Sequence, residues 1–139
     1  AIHTIKGKRI LLVEDNELNA EIAKTVLEDV GALITRAENG QQALELFKEK
    51  PAGTFDAILM DLMMPVMDGL TATKRIRKLK RKDARTVPVI AMTANVFNED
   101  IIAAKEAGMN EHIAKPLDFD KLIHTLAKYF LKMDKKLIS

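Results

Sequence analysis

Acidic residues follow two apolar runs of the sequence, and this position makes them candidates for chemistry. Glu14 and Asp15 follow the run RILLV at 9–13, and Asp61 follows the run AILM at 57–60. A carboxylate at the end of a buried strand must be solvated at the edge of the sheet, paired with a cation, or used. For any one of these acids alone, a solvated loop residue or a helix cap is the simpler interpretation.

Two later polar residues make a functional role for the acids the better interpretation. Thr93 and Lys115 follow the fourth and fifth apolar runs. Three carboxylates at one edge would repel each other, and a hard divalent cation such as Mg²⁺, which prefers oxygen ligands, would offset that repulsion. A metal-bound carboxylate, a hydroxyl donor and a cationic point charge are together what a phosphoryl group requires. The combined set indicates a site that handles both a metal and a phosphate.

The elements that would position these residues alternate along the chain. Short apolar runs predict five strands, at 9–13, 32–37, 55–60, 87–92 and 111–114. Apolar residues at helical spacing predict a helix after each strand, the last from about Asp118 to Phe130. This alternation favours an α/β fold, a single open parallel sheet with helices on both faces.

The order of the strands decides whether the acids meet. We expect the flavodoxin-like (βα)5 doubly wound order 2-1-3-4-5, in which strands 1 and 3 are neighbours and ligands bind beyond their carboxyl ends. The periodicity does not determine that order, so the expectation rests on how often chains of this pattern adopt it. With this order, Glu14, Asp15 and Asp61 would converge.

Composition limits the protein classes that remain. A length of 139 residues favours one domain, and a formal charge of +2 is too small to indicate a nucleic-acid binder by itself. The absence of cysteine excludes a disulfide framework and a thiolate metal site. No apolar run approaches the roughly 18 residues of a membrane-spanning helix, so we expect a soluble, cytoplasmic segment whose parent chain could be membrane-anchored.

Four short motifs resemble those of receiver domains of two-component response regulators. They are VEDN at 13–16, MDLMMPVMDG at 60–69, MTA at 92–94 and KP at 115–116. The ordered set is specific, although any single motif would be weak. We expect a receiver domain at 8–130, an N-terminal extension at 1–7 and a C-terminal tail at 131–139, frayed from Lys132 onward.

The phrasing VEDNELNAEIA and GMNEHIAKPLD is further similar to receivers attached to hybrid sensor histidine kinases. A stand-alone single-domain regulator is the alternative. The resemblance implies a histidine kinase or a histidine phosphotransfer domain as partner. The sequence has no recognised nucleic-acid-binding module and too few aromatic residues for a stacking platform, so we expect no direct contact with nucleic acid, and none of this segment with a membrane. A receiver domain also catalyses its own phosphorylation and dephosphorylation, while the parent chain of a hybrid receiver is a kinase.

The resemblance assigns roles to the acidic cluster. Asp61 is implied to be the phosphoacceptor, taking a phosphoryl group from phosphohistidine. Mg²⁺ would be held by Glu14, Asp15, Asp61 and the backbone carbonyl of Met63. The ion and Lys115 would neutralise charge on the transferring oxygens, which is most of what phosphoryl transfer requires.

The resemblance also assigns roles at the ends of the last two strands. Lys115 would act with Asp61 and Thr93 as a catalytic group, and Thr93, Ala94 and Lys115 would bind the phosphoryl group. The Lys115–Pro116 peptide is implied to be cis.

Three further positions bear on switching and on the lifetime of the phosphate. Receivers usually carry Tyr or Phe three residues before the lysine, where this chain has His112. A switch built from Thr93 and His112 would be sensitive to pH, although a partly exposed histidine is an equally good interpretation. By the resemblance, Met63 and Asn95 would flank the path of an attacking water, and we expect Met63 to favour slow loss of the phosphate.

Two surfaces suggest partners. Leu18 lies beside the acidic loop, and Pro116 and Leu117 lie on its other side, which suggests docking of a donor helix bundle or else ordinary helix packing. The run KRIRKLKRKDAR at 74–85 has eight basic residues and one acid. A solvated helix face is its simpler interpretation, and an acidic neighbouring domain is the alternative.

Two other function classes compete with a phosphoacceptor. A phosphatase of the haloacid dehalogenase type also forms an aspartyl phosphate, but it needs Asp-x-Asp after its first strand, where this chain has Glu14-Asp15. A degenerate receiver that only binds protein would lack the acceptor, the lysine or the threonine, and all three are present here.

Overall fold

Five parallel strands form one sheet in the computed structural model, which describes residues 4–94 and 98–138. The strands are β1 (Arg9–Val13), β2 (Leu33–Ala37), β3 (Ala57–Asp61), β4 (Val89–Thr93) and β5 (Glu111–Ala114). They pair in the order β2-β1-β3-β4-β5, which confirms the predicted flavodoxin-like topology. Because β1 and β3 are neighbours, the residues that follow them lie at the same edge of the sheet.

Six helices cover the sheet within the described residues. They are α1 (Glu17–Asp29), α2 (Gly40–Glu49), α3 (Gly69–Arg77), α4 (Lys82–Thr86), α5 (Asn98–Ala107) and α6 (Phe119–Ile138). The five-helix prediction missed α4, a short helix inside the basic run whose one buried residue is Ala84, too little for a periodic signal. None of these helices is long and apolar enough to cross a bilayer.

The core lies on both faces of the sheet. In β1, Leu11 and Val13 pack into one buried cluster, with Phe47 of α2. Ile10 and Leu12 pack into the other, with α1 and α6. Alternate residues of one strand therefore both meet apolar neighbours, which is why the central strands are continuous apolar runs rather than alternating ones.

The chain termini depart from the prediction. The prediction of a frayed tail from Lys132 was wrong, because α6 continues to Ile138. Phe130 is fully buried, Met133 packs against the same cluster, and Lys8 Nζ donates to Asp134 Oδ1 at 2.7 Å. At the other end Ile5, within the predicted extension, is also fully buried. Apolar contacts and one ion pair thus hold Ile5 and the 130–134 turns of α6 against the rest of the domain.

Three helices that begin at the carboxyl edge of the sheet share one type of start. The side chains of Asn16, Asn39 and Asp68 cap α1, α2 and α3, each accepting from the backbone amide three residues later. An Asn or Asp cap satisfies an amide that the first helical turn leaves without a partner. Each cap therefore fixes where its helix begins after the loop from the preceding strand.

Gly69 allows the loop after β3 to return against the acidic strand end. A Cβ at this position would collide with the backbone carbonyl of Asp61. The Gly69 amide donates to Leu62 O at 3.1 Å, which keeps the two backbones in contact. Only glycine fits so close an approach.

Replacement of Gly69 by alanine should lower the free energy of unfolding by about 1–3 kcal/mol, the usual cost of overpacking. Intrinsic helix propensity predicts the opposite sign, since alanine is favoured over glycine in a helix by about 1 kcal/mol. Urea unfolding of wild type and Gly69→Ala decides between them. A stabilised variant would contradict the close approach.

Candidate functional site

Three carboxylates converge where β1 and β3 end. Register pairs Val13 with Met60, so Glu14 and Asp61 follow side by side. One carboxylate oxygen from each of Glu14, Asp15 and Asp61 lies within 4.8 Å of the others. Glu14 and Asp61 are only 3% and 4% exposed, whereas Asp15 is exposed.

Lys115 provides the cation of this cluster. Its amide donates to Thr93 O at 2.8 Å, which ties the end of β5 to the end of β4. Its Nζ lies 2.8 Å from Glu14 Oε1 and 3.0 Å from Asp61 Oδ2. The Lys115–Pro116 peptide is cis, as the resemblance implied. The structure therefore brings together Lys115 and two acids from three separate strand ends.

Burial and neighbouring charges shift the pKa values of the groups in the cluster. Burial, together with Asp61, raises the pKa of Glu14 to about 7, although Lys115 acts in the opposite direction. Burial by itself would lower the pKa of Lys115, but its bonds to Glu14 and Asp61 raise it overall. Lys115 therefore keeps its proton. Its one positive charge is not enough to offset the negative charge that three carboxylates can carry.

The cluster has the chemistry of a divalent-cation site. Glu14 Oε2 is buried and, among the described residues, has no hydrogen-bond donor. A buried acceptor without a partner is costly unless something else binds it. Carboxylate oxygens from Glu14, Asp15 and Asp61 are ligands that hard divalent ions prefer, so the residues present fit such an ion.

The remaining predicted residues surround the cluster to different degrees. Thr93 is buried at the end of β4, and Ala94 lines a cavity of about 490 Å³ together with Glu14 and Lys115. The Met63 amide donates to Asp61 Oδ1 at 3.3 Å, and the Met63 side chain is 73% exposed. The roles predicted for Thr93, Ala94 and the Met63 carbonyl stay predictions.

His112, the predicted switch residue, does not line the cavity of the cluster. His112 lines a different cavity, of about 360 Å³, with Ile101 and Met109. Its role as a switch stays a prediction. Asn95 lies outside the described residues.

Sequence reasoning missed the residue that contacts the acidic loop from the side. Arg36 of β2 donates to the backbone carbonyls of Glu14 and Asp15. A single arginine in a weak strand belongs to no motif, and the pairing of β2 with β1 is what brings it near. No pattern in the sequence could have indicated this contact.

The basic run lies away from the cluster, on α3 and α4. Arg77 and Arg81 are used internally: Arg77 donates to Gly108 O at 2.8 Å, and Arg81 pairs with Asp83 at 2.8 Å. Six other basic side chains are exposed and, in the part of the chain that the structure describes, form no ion pair: Lys74, Arg75, Lys78, Lys80, Lys82 and Arg85. A solvated face fits these observations.

Comparison with known proteins gives the family. The family model of the response regulator receiver domain matches residues 10–127. This chain belongs to the receiver domain family, which agrees with the strand order and with the acids, threonine and lysine at the strand ends. The competing assignment to a haloacid dehalogenase-type phosphatase is therefore not supported.

Relatives of the chain are parts of larger signalling proteins. Hybrid signal transduction histidine kinase M of Dictyostelium discoideum is 44% identical over 126 residues, which cover 90% of this chain and 5% of that protein. The chain spans 5% to 17% of the length of eight curated relatives.

Solved structures share the fold. The receiver domain of a sensor histidine kinase from Pseudomonas aeruginosa PAO1, with a magnesium ion coordinated in its active site cleft, has a TM-score of 0.80 and 38% identity, covering 89% of this chain and 98% of that one. A Saccharomyces cerevisiae co-crystal contains the histidine phosphotransfer protein Ypd1 and the receiver domain of its downstream response regulator Ssk1. It matches with a TM-score of 0.83 and 29% identity, covering 93% of this chain and 92% of that chain.

The raised pKa of Glu14 predicts how stability depends on pH without metal. The folded state holds this proton more tightly than the unfolded state, so the contribution is complete below a pH of about 4.5 and is lost as the pH rises through about 7. Between pH 5 and 8 in chelator, wild type should lose about 1–3 kcal/mol relative to Glu14→Gln.

Urea unfolding of both proteins at each pH measures this difference. Glu28→Gln, on the exposed face of α1, is the control, and its free energy of unfolding should depend on pH as that of wild type does. A difference between wild type and Glu14→Gln that does not change with pH would contradict the prediction.

Proposed function

We propose that this chain is the phosphoacceptor receiver domain of a two-component phosphorelay, and that Asp61 accepts a phosphoryl group from a phosphohistidine. The observation that carries the proposal is the convergence of Asp61, Glu14 and Lys115 at one sheet edge, with Lys115 Nζ 3.0 Å from Asp61 Oδ2. A degenerate receiver would not need this arrangement of acceptor and cation.

The transfer follows from what each residue offers. A carboxylate oxygen of Asp61 forms the new O–P bond as the P–N bond to the imidazole breaks, and the leaving imidazole takes up a proton from solvent. Lys115 stays beside the transferred oxygens and offsets their charge. Thr93 and the Ala94 amide are the proposed donors to the phosphoryl group. The products are an acyl phosphate on Asp61 and a free histidine on the donor.

Mg²⁺ is the proposed cofactor. Glu14, Asp15 and Asp61, with the Met63 carbonyl, would hold it. The buried Glu14 Oε2, which has no hydrogen-bond partner in the part of the chain that the structure describes, supports this assignment. When bound, the ion neutralises charge on the phosphoryl oxygens. The magnesium ion in the Pseudomonas receiver is consistent with the same use here.

The wider setting of the domain is also a proposal. The high identity to a hybrid histidine kinase over 90% of this chain supports a hybrid kinase as the parent protein, with a stand-alone regulator as the alternative. The partner would be a histidine kinase or a histidine phosphotransfer domain, as in the yeast complex. We place the domain at 8–130 and the segment in the cytoplasm, whether or not the parent chain is anchored.

Acetyl phosphate and Mg²⁺ should add one base-labile phosphoryl group to wild type and none to Asp61→Asn. Intact mass spectrometry before and after base treatment measures this gain. Asp68→Asn is a matched control in the same loop, because asparagine also caps α3, and it should label like wild type. No gain in wild type, or an equal gain in Asp61→Asn, would remove the proposed function.

An apolar surface beside the site supports docking of a donor helix bundle. Leu18 and Ile22 of α1 are 69% and 45% exposed. The cavity next to them is lined by Ile22, Pro116, Leu117 and Phe119, and it opens beside Lys115. Exposed apolar side chains next to a charged site are typical of protein interfaces.

Leu18→Asp should slow phosphotransfer from a phosphorylated donor domain about tenfold or more, as expected for loss of one apolar anchor, while labelling by acetyl phosphate stays unchanged. The control is Leu131→Asp, an exposed leucine on α6 near the Lys8–Asp134 pair at the other end of β1. Equal losses with both donors would show a folding defect instead of docking.

The exposed Met63 side chain suggests a slow loss of the phosphate, because a thioether cannot orient an attacking water as a polar group can. Met63→Gln should therefore shorten the half-life of the phosphorylated protein, and Met63→Ala should change it little. Decay of the mass-labelled fraction in Mg²⁺ buffer measures both. The reverse pattern, with only the alanine variant decaying faster, contradicts the role.

A further inference from the structure

Arg36 reaches from the edge strand into the loop that carries two of the site acids. β2 pairs with β1 so that Arg36 lies opposite Leu12, two residues before Glu14. Its Nη2 donates to Glu14 O at 2.9 Å and to Asp15 O at 3.3 Å, and its Nε donates to Glu14 O at 3.2 Å. One guanidinium therefore bridges two successive carbonyls.

These bonds complete the anchoring of a very short loop. The Glu14 amide donates to Ala37 O at 3.1 Å, and the Asn16 side chain caps α1 by accepting from the Asn19 amide. Between the last residue of β1 and this cap, both carbonyls are bonded to Arg36. The backbone positions from which the Glu14 and Asp15 carboxylates project are thus determined by a side chain of another strand.

We propose that Arg36 is a positioning residue for the divalent-cation site, and this rests on the proposed function. The three carboxylates repel one another, so a loop free to relax would separate them in the metal-free protein. By holding the carbonyls of Glu14 and Asp15, Arg36 keeps these acids directed toward Asp61 before an ion arrives. Ligands ordered in advance do not have to be ordered on binding, which raises affinity.

The positive charge of Arg36 affects Mg²⁺ affinity in the direction opposite to its positioning of the loop. A nearby cation repels Mg²⁺, so its removal would by itself tighten Mg²⁺ binding. Loss of positioning would weaken binding. The direction of the change in the dissociation constant therefore separates the two roles.

The first measurement is the dissociation constant of Mg²⁺ by calorimetry, with the metal alone. Arg36→Met should bind about tenfold more weakly, the lower range for loss of a group that orients metal ligands. Arg36→Lys should also bind more weakly, because an ammonium lacks the planar fork that spans two carbonyls. Arg9→Met, an exposed arginine at the far end of β1, removes the same charge and should match wild type.

Two further readouts distinguish positioning from a general loss of structure. At saturating Mg²⁺, labelling of Arg36→Met by acetyl phosphate should recover to near the wild-type rate. In metal-free buffer, hydrogen exchange at the amides of Asp15 and Asn16 should be faster in both Arg36 variants than in Arg9→Met. Equal or tighter Mg²⁺ binding by Arg36→Met, or unchanged exchange in the loop, overturns the proposal.

The proposed function can fail separately. A wild-type protein that binds no Mg²⁺ and gains no phosphoryl group would refute the phosphoacceptor assignment. The exchange measurement, which needs no metal, would still report whether Arg36 holds the loop.

Discussion

Carboxylates held together at one edge of the sheet repel one another, and the surrounding elements have to keep them in place against that repulsion. Glu14 and Asp61 are almost completely buried and share the ammonium of Lys115. A cluster with more buried carboxylate than cation disfavours the folded chain, and the two apolar clusters on either face of the sheet must offset this cost. Proteins tolerate such local conflict mainly at functional sites. Burial first, and Asp61 second, raise the pKa of Glu14, as expected for a carboxylate held in this way.

The backbone around the cluster leaves the acids little freedom to separate. Asn16 and Asp68 start α1 and α3 close to the two strand ends, and Gly69 lets the loop after β3 pack against the carbonyl of Asp61. Arg36 holds the loop on the other side. Rigid loops allow a site to keep unfavourable charge geometry until a cation or a phosphoryl group relieves it.

Charge is also distributed unevenly along the chain. The segment 74–85 holds eight of the 22 basic residues and one of the 20 acids, so it carries a charge of +7 while the remainder carries −5. Since α3 starts beside Asp61, its basic C-terminal half lies toward the opposite end of the sheet, away from the acids. The acidic site therefore keeps Lys115 as its own cation, and the exposed lysines of α3 and α4 do not compensate it.

Local patterns were enough to predict the α/β alternation, the polar residues at strand ends and the family motifs, because strands buried on both faces and amphipathic helices each leave their own spacing of apolar residues. The order of the strands did not follow from these patterns. The pairing of β1 with β3 in the folded chain is what brings Asp61 beside Glu14. That α6 continues to Ile138 became visible in the folded chain, where Lys8 pairs with Asp134 across most of the chain length. The contact of Arg36 with the acidic loop was decided in the same way. Such contacts join residues distant in sequence through the pairing of whole elements, and no local pattern records which elements become neighbours.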